Sequence, residues 1–536
     1  MDFYSHLKQT QDNVSITENG AIGYKTTGKE LTDFFFKVSS FRNLKDIELE
    51  QECDKLVKSA DPYLLKLAFY IRDAREGLGE RRLFKQMMNA LIKANFEGKK
   101  EFFQNVITKW IPLYGRYDDL FLFMDTPYEL DMMGFIQDTL VSDLKNLAEG
   151  KPITLMAKWL PSINASSKES KKLGRTVARA LDLTERDYRK TLSKLRAYNN
   201  VVEIQMCAKE WGAIDYNKVP SKANIKYKNA FLRNDEERRR QYLNDLVRGV
   251  DKEGKEVKIN STVNTPHEVL HMYNHIDWSW WGDRSTLVSP YDEAVEQLWK
   301  NLKELPGLKD TIVVRDDSGS MTSTINGTRV TAYEVATALG IYCAEHNTEA
   351  YKNKIISFSQ TPKYLDFSDS SKYGSLHSKY AYLVKHSEVA NTNIKAVFDL
   401  VLKTAVENKL PAEELPAQIL IISDMEFDSC GGRSCGISLF NQIASDYAQY
   451  GYKLPKLVFW NVCGRTGTIP CKQNDAGVIL VSGFSQNVLN LVNRGETDPY
   501  ISIVKELDTE RYSDIPLYAK LDTRVKKEKY KSPLEK

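Results

Sequence analysis

From about Glu30 to Trp299 the apolar residues recur every three to four positions and strict alternation is scarce, so this half of the chain predicts α-helices. Asp61-Pro62 opens one of them, and Tyr63, Leu64, Leu67, Ala68 and Ile71 form its apolar stripe. Gly77-Leu78-Gly79 breaks it before a second helix carrying Leu83, Met87 and Leu91. Further helices are predicted over 102–110, 132–147, 174–181, 185–196, 201–211 and 236–247. The chain has no strict repeat period, but paired helices without a heptad predict a superhelical, repeat-like stack.

After Leu305-Pro306-Gly307 the pattern changes. Short apolar, β-branched runs at 311–315, 354–358, 417–423, 456–462 and 477–481 predict buried strands, and helices are predicted over 330–346, 394–407, 437–450 and 485–492. Alternation of this kind predicts a doubly wound, largely parallel α/β sheet. The expected organisation is therefore α plus α/β and multidomain: a helical domain over 1–300, a doubly wound domain over 308–508, and a basic tail over 509–536, mobile from Lys520 onward.

A length of 536 residues excludes a single small domain, and 42% hydrophobic with 27% charged residues excludes a disordered chain. No stretch approaches the ~18 consecutive apolar residues of a membrane span. The opening residues lack the basic-then-apolar pattern of a secretion signal, so a cytoplasmic, membrane-free protein is expected. Seven cysteines, an odd and sparse set, argue against a disulfide framework and for a reducing compartment. The net charge of +3 says little, whereas its distribution says more. Residues 151–250 carry 22 Lys+Arg against 11 Asp+Glu, while residues 101–150 carry 3 against 9. A basic excess confined to one block is the form that an electrostatic footprint for a polyanion takes.

The strongest chemical pattern follows the first predicted strand, where Arg315 precedes Asp316-Asp317-Ser318-Gly319-Ser320-Met321. A turn at the carboxyl end of a parallel strand can aim Asp316, Ser318 and Ser320 at one point, and open α/β sheets bind ligands at that edge. Such oxygen ligands suit a hard cation, Mg²⁺ above all. A solvated Ser/Asp turn would carry the same residues. Two more segments shift the balance: Asn391-Thr392-Asn393 stands directly before the predicted 394–407 helix, and Ile419-Leu420-Ile421-Ile422 runs into Ser423-Asp424. With these three elements in order, residues 308–492 resemble the von Willebrand factor A domain and its metal-ion-dependent adhesion site. The resemblance implies that Ser318, Ser320 and Thr392 coordinate a divalent cation and that Asp316 and Asp424 hold it through water. Family members commonly carry Gly before the Thr and after the final Asp, where this chain has Asn391 and Met425. No general base is evident nearby, so the ion is expected to accept an anionic oxygen from a protein partner rather than to drive hydrolysis.

A helical array followed by such a domain resembles the Ro ribonucleoprotein family, whose TROVE module is a ring of HEAT-like helical repeats. The residues behind this resemblance are Gly28-Lys29-Glu30-Leu31 with Phe34-Phe35, Arg72-Asp73-Ala74-Arg75, Gly79-Glu80-Arg81, Ala157-Lys158-Trp159-Leu160-Pro161-Ser162, the 188–196 segment and Val219-Pro220-Ser221. They are most similar to an uncharacterised TROVE-like branch. The resemblance implies a monomeric ring that binds structured noncoding RNA on its basic outer face and single-stranded RNA ends in its hole. Lys168, Lys171, Lys172, Arg175 and Arg179 are spaced to share one helix face, and Arg186, Arg189, Lys190, Lys194 and Arg196 continue the charge. Trp159, Tyr188, Tyr198 and Trp211 are nearby rings able to stack on bases. A solvated helix face is the alternative, with Glu185 and Asp187 neutralising part of it.

Two patterns compete. His267-Glu268-Val269-Leu270-His271 has the zinc-protease spacing, His275 extends its stripe, and Glu293 and Glu296 could supply a third ligand. Cys430, Cys435, Cys463 and Cys471 could form a zinc clip, although the spacing is not a usual pair and free thiols are the alternative. Gly77 and Gly79 lack a preceding strand and a phosphate-binding Lys, and read as a helix break. The sequence thus predicts a non-enzymatic RNA-binding protein with a divalent-cation site, with a metal-dependent scaffold second and a zinc hydrolase third.

Overall fold

The computed structural model describes residues 3–279, 282–326, 328–428, 439–470 and 477–521. Its contacts divide the chain into two compact units. A sheet unit comprises the residues up to Leu64, Glu76–Leu78 and Asn260–Asp514, and a helical unit comprises Leu65–Arg75, Gly79–Ile259 and the chain from Ile515. The expected boundary at about residue 300 is therefore not where the contacts divide.

The reason lies in what the early residues bury. A hairpin of β1 (Val14–Ile16) and β2 (Ile22–Tyr24) forms in the region where strands were not expected. Its Gly20 and Tyr24 form bridges with Asp428 and Ile469. The helix Glu30–Phe36 buries six consecutive residues, and Phe36 belongs to the sheet's core cluster. Ser39 donates to the carbonyl of Asn461 at 2.9 Å. Farther on, the buried Glu296 carboxylate accepts the backbone N–H groups of Leu376 and His377 at 2.8 and 3.0 Å, capping the helix Leu376–Lys385.

The sheet contains β3 (Thr311–Asp316), β4 (Lys354–Phe358), β5 (Lys363–Asp366), β6 (Gln418–Ser423), β7 (Lys456–Asn461) and β8 (Val478–Ser482). Their order is β5-β4-β3-β6-β7-β8, parallel throughout except for the antiparallel β4/β5 pair. All six residues of β6 are buried, as a strand covered on both faces requires. Strand β5 was not predicted, because its Lys-Tyr-Leu-Asp composition suits an exposed edge rather than an apolar run. Chain order reverses between β3 and β6, so the crevice at their carboxyl ends is a topological switch point. Register fixes the alignment there, with Val314 opposite Ile421 and Arg315 opposite Ile422. The helix Ala332–Glu345 packs beside them and is buried on almost every face.

The helical unit is built around an aromatic core in which Phe69 meets Phe84, Trp110 and Tyr114 with ring centres 5.3 to 5.5 Å apart. Arg72 of Arg72-Asp73-Ala74-Arg75 and Arg81 of Gly79-Glu80-Arg81 both pair with the buried Asp119, at 2.5 and 2.8 Å. The helix expected over 102–110 is Lys99–Asn105 followed by a π-helical turn, Val106–Trp110. The helix expected over 201–211 stops at Cys207. The helices Glu129–Ala148, Lys168–Ala180, Glu185–Tyr198 and Glu236–Arg248 lie where the periodicity predicts them. The first part of the expected tail is folded: Tyr512, Ile515 and Tyr518 are buried, and Ala519 accepts the Glu97 backbone N–H at 2.9 Å. Residues 522–536 lie outside the described residues. Among the described residues no helix is long and apolar enough to cross a membrane.

Candidate functional site

Strand β3 ends at Asp316 and strand β6 is followed by Asp424, so adjacent parallel strands deliver two carboxylates to the switch point. Asp316, at 0% exposure, accepts the Ser318 backbone N–H at 2.9 Å and the Ser423 hydroxyl at 2.5 Å. The hydroxyls of Ser318 and Ser320 lie 3.2 Å apart, and the Ser320 hydroxyl favours the charged form of the neighbouring Asp424 carboxylate. Thr392 is buried in a loop pinned by Gly319, whose N–H donates to the Ala390 carbonyl at 2.9 Å, and by Asp428, whose N–H donates to the Thr392 carbonyl at 2.9 Å. The Thr392 hydroxyl accepts the Asn19 side-chain amide at 3.1 Å. Asp316, Ser318, Ser320 and Asp424 are thus joined by direct contacts or mutual charge, and Thr392 is tied to them through its loop.

The backbone supports this arrangement at some cost. Met425, where the resemblance expects Gly, keeps the left-handed conformation that Gly would take, with φ of 65°. Its side chain packs into the sheet's core cluster, which holds the residue there. Val389, a β-branched residue at φ 55°, is a second left-handed position beside the Thr392 loop. Below the site the buried Arg315 guanidinium donates to Tyr333, Thr337 and Ser357 and pairs with Asp317 at 3.1 Å. Asp317 is therefore committed to the scaffold.

Burial, reinforced by the neighbouring Asp424 charge, pushes the Asp316 carboxyl far above the carboxylate range. Burial also raises Asp424, against the Ser320 hydrogen bond and the Arg465 charge. Two carboxylates that cannot comfortably ionise together, ringed by hydroxyls, form a donor set that fits a hard divalent cation. Asp316, Ser318, Ser320, Thr392 and Asp424 are the residues that would hold it. Sequence reasoning missed Ser423, Glu426 and Arg465. Ser423 was legible as the neighbour of Asp424, whereas Arg465 and Glu426 reach the site by loop geometry that no motif announces. Arg465 lies 3.5 Å from the Asp424 carboxylate.

In the helical unit the basic residues fall into two classes. Lys168, Lys172, Arg175, Arg179, Arg189 and Lys190 are exposed, and Lys171 is half-buried. Arg175 pairs with Glu185 at 3.1 Å, which neutralises part of the stripe. Arg186, Arg189 and Lys190 line a cleft of about 670 Å³ together with Asn164 and Ser193. Arg196 forms its floor, donating at 2.8 Å to the carbonyls of Ala157 and Leu160 and to the Ser162 hydroxyl. Gly174 permits this packing, because a Cβ there would lie 3.0 Å from the Pro161 carbonyl. Of the expected stacking rings, Tyr188 is core and donates to Pro161 at 2.9 Å, and Trp159 is covered by the Arg116 guanidinium at 4.3 Å. Tyr188 also lines the cleft from within.

The zinc-protease pattern does not assemble. The helix covers only Pro266–Leu270, and a 3₁₀ turn follows, so His275 leaves the stripe. Glu268 caps its own helix at Thr265, and the His271 Nδ1 atom lies 2.5 Å from Glu334. Glu296 is occupied by Leu376 and His377. Among the described residues no three His, Cys, Asp or Glu side chains gather to hold a metal. Cys463 is a buried free thiol, and Cys430, Cys435 and Cys471 lie outside the described residues.

Known proteins divide the chain near Pro306. Residues 133–305 match a family described as a domain of unknown function, DUF2828, and residues 310–533 match a second, DUF7788. Across both regions the chain is similar to an uncharacterised protein of Acanthamoeba polyphaga mimivirus, 28% identical over 540 residues that span 92% of this chain and 87% of the viral one.

Proposed function

We propose that this is a non-enzymatic RNA-binding protein of Ro-like organisation. In this reading the sheet unit is a von Willebrand A-type domain that holds a divalent cation, Mg²⁺ by preference, and offers it to an anionic oxygen of a protein partner. The helical unit is a TROVE-like array of HEAT-like repeats that holds structured noncoding RNA on the Lys168–Ala180 and Glu185–Tyr198 helices. The observation that carries the reading is the Asp316–Asp424 pair, buried at the switch point among hydroxyls. When bound, the cation would supply a positive centre for a partner's carboxylate or phosphate oxygen. The protein's own residues fix the ligand oxygens and limit the approach of water. The RNA part draws its support from the cleft rimmed by Arg186, Arg189 and Lys190.

Two measurements test the two parts. Mn²⁺ titrated into the full chain should bind with one-to-one stoichiometry, and Asp316→Ala should abolish it. RNA crosslinked to the protein in cells should yield discrete structured species on sequencing. Failure to crosslink, together with unchanged retention of a labelled RNA hairpin when Lys171, Lys172 and Arg175 are changed to Ala, sinks the RNA reading. The Arg175–Glu185 ion pair favours a second reading, a metal-dependent scaffold whose basic face is only solvated. That reading requires partner capture that is lost in EDTA and indifferent to nuclease.

A further inference from the structure

The turn between β1 and β2 reaches the candidate cation site from a distance of some four hundred residues along the chain. It is bolted down at three points. The Thr17 hydroxyl donates to the Phe427 carbonyl at 2.6 Å. The Asn19 amide donates to the Glu426 carbonyl at 2.6 Å and to the Thr392 hydroxyl at 3.1 Å. The Glu18 backbone N–H donates to the Glu426 carboxylate at 2.8 Å. Glu426, 1% exposed, also accepts the N–H groups of Arg465 and Thr466 at 2.8 Å, so one buried side chain ties the turn to the loop after β7. The hairpin sits so close to that loop that a Cβ on Gly23 would lie 2.6 Å from the Thr468 methyl.

The side chain of Glu18 is more than half exposed, yet it pairs with Arg465 at 2.6 Å. The same guanidinium nitrogen of Arg465 lies 3.5 Å from the Asp424 carboxylate. Two carboxylates some four hundred residues apart along the chain therefore share one positive charge at the edge of the site. The Arg465 side chain is one-third exposed and, among the described residues, is held at the site by these charges alone, whereas the backbone of Glu18 is held by Glu426. A divalent ion satisfies more negative charge than a guanidinium, so its arrival would release Arg465 while Glu18 stays.

Resting on the cation-site reading above, we propose that Glu18 is the chain's own ligand for that cation, a carboxylate that closes the outward coordination position until an acidic side chain of a partner displaces it. Asn19, Glu426 and Arg465 are positioning residues for it. The partner so defined presents a carboxylate, the group that Glu18 itself supplies.

The test uses the full chain and Mn²⁺ as the probe, followed by calorimetry and by electron–nuclear double resonance of the waters on the bound ion. Glu18→Gln should bind Mn²⁺ about tenfold more weakly than the unsubstituted chain and carry an additional water on it. ¹³C-labelled acetate, standing for a partner's carboxylate, should reach the ion at lower concentration in Glu18→Gln than in the unsubstituted chain. Asn19→Ala, which loosens the turn without removing the carboxylate, should fall between the two. Equal affinity, hydration and acetate access in Glu18→Gln and the unsubstituted chain overturn this inference alone. Absence of Mn²⁺ binding by the unsubstituted chain, or its persistence in Asp316→Ala, overturns the cation-site reading and this inference with it.

Discussion

The switch point of the sheet unit and the cleft of the helical unit handle charge in opposite ways. At the switch point the charged groups are buried and committed: Asp316 to Ser318 and Ser423, Arg315 to Tyr333, Thr337 and Ser357. At the cleft, Arg186, Arg189 and Lys190 project from an exposed helix face, and only Arg196 beneath them is anchored. The first arrangement is preorganised, and the second is an open cluster of positive charge that fixes no single geometry. Changes at the switch point should therefore act as switches, and changes at the cleft should act in proportion.

The largest effect expected is at Asp316. Asp316→Ala should weaken Mn²⁺ binding by at least ~100-fold in calorimetry, since it removes a buried carboxylate from the donor set. Retained binding would make the switch point no more specific than the cleft. Next comes the cleft itself: changing Arg186, Arg189 and Lys190 together to Ala should lower the slope of log affinity against log salt by about 2 to 3 for a structured RNA hairpin. A change in affinity with no change in slope would show that those cations do not meet phosphates. Arg196→Ala should behave differently, costing about 2 to 3 kcal/mol of stability in denaturant melts of the full chain by orphaning two carbonyls and a hydroxyl.

A pH dependence of stability tests the buried pair directly. In metal-free protein Asp316 holds its proton well above pH 4, with a pKa of about 8, while the unfolded chain loses it near pH 4. Its contribution to stability is fully present at and below about pH 4 and is lost as pH rises toward 8. In EDTA the melting temperature should therefore fall from pH 5 to pH 8, by about 2 to 4 °C for each kcal/mol lost. Asp316→Asn should flatten that fall, and Mn²⁺ should remove it in the unsubstituted chain. A slope unaffected by either would mean that the pair is not strained in the way its burial implies.

Local pattern carried most of the architecture. The runs that became β3, β4, β6, β7 and β8 are apolar enough to be read directly, and the 394–407 and 236–248 helices follow their periodicity almost to the residue. The Asp316 turn and Asp424 were legible because each follows a buried strand that ends abruptly in polar residues. What was not legible depends on distance along the chain. Asn19-Gly20 lies in the turn of a hairpin not anticipated from the sequence, and nothing local says that the hairpin docks beside Ile469. Glu426 likewise reads as an ordinary acidic residue until its four donors are seen to come from the segments around residues 18 and 465. The Arg196 side chain was counted with the cations of a surface stripe, because charge alone does not reveal which guanidinium faces inward.

The interleaving of the two units along the polypeptide has a consequence for how the molecule is made. Phe36 and Ser39 leave the ribosome long before the strands that cover them, and the helical unit waits for Tyr518 and Ala519, which follow every strand of the sheet unit. Neither unit can close until those later segments have been made. A nascent chain several hundred residues long must keep its early apolar segments from aggregating until those partners arrive.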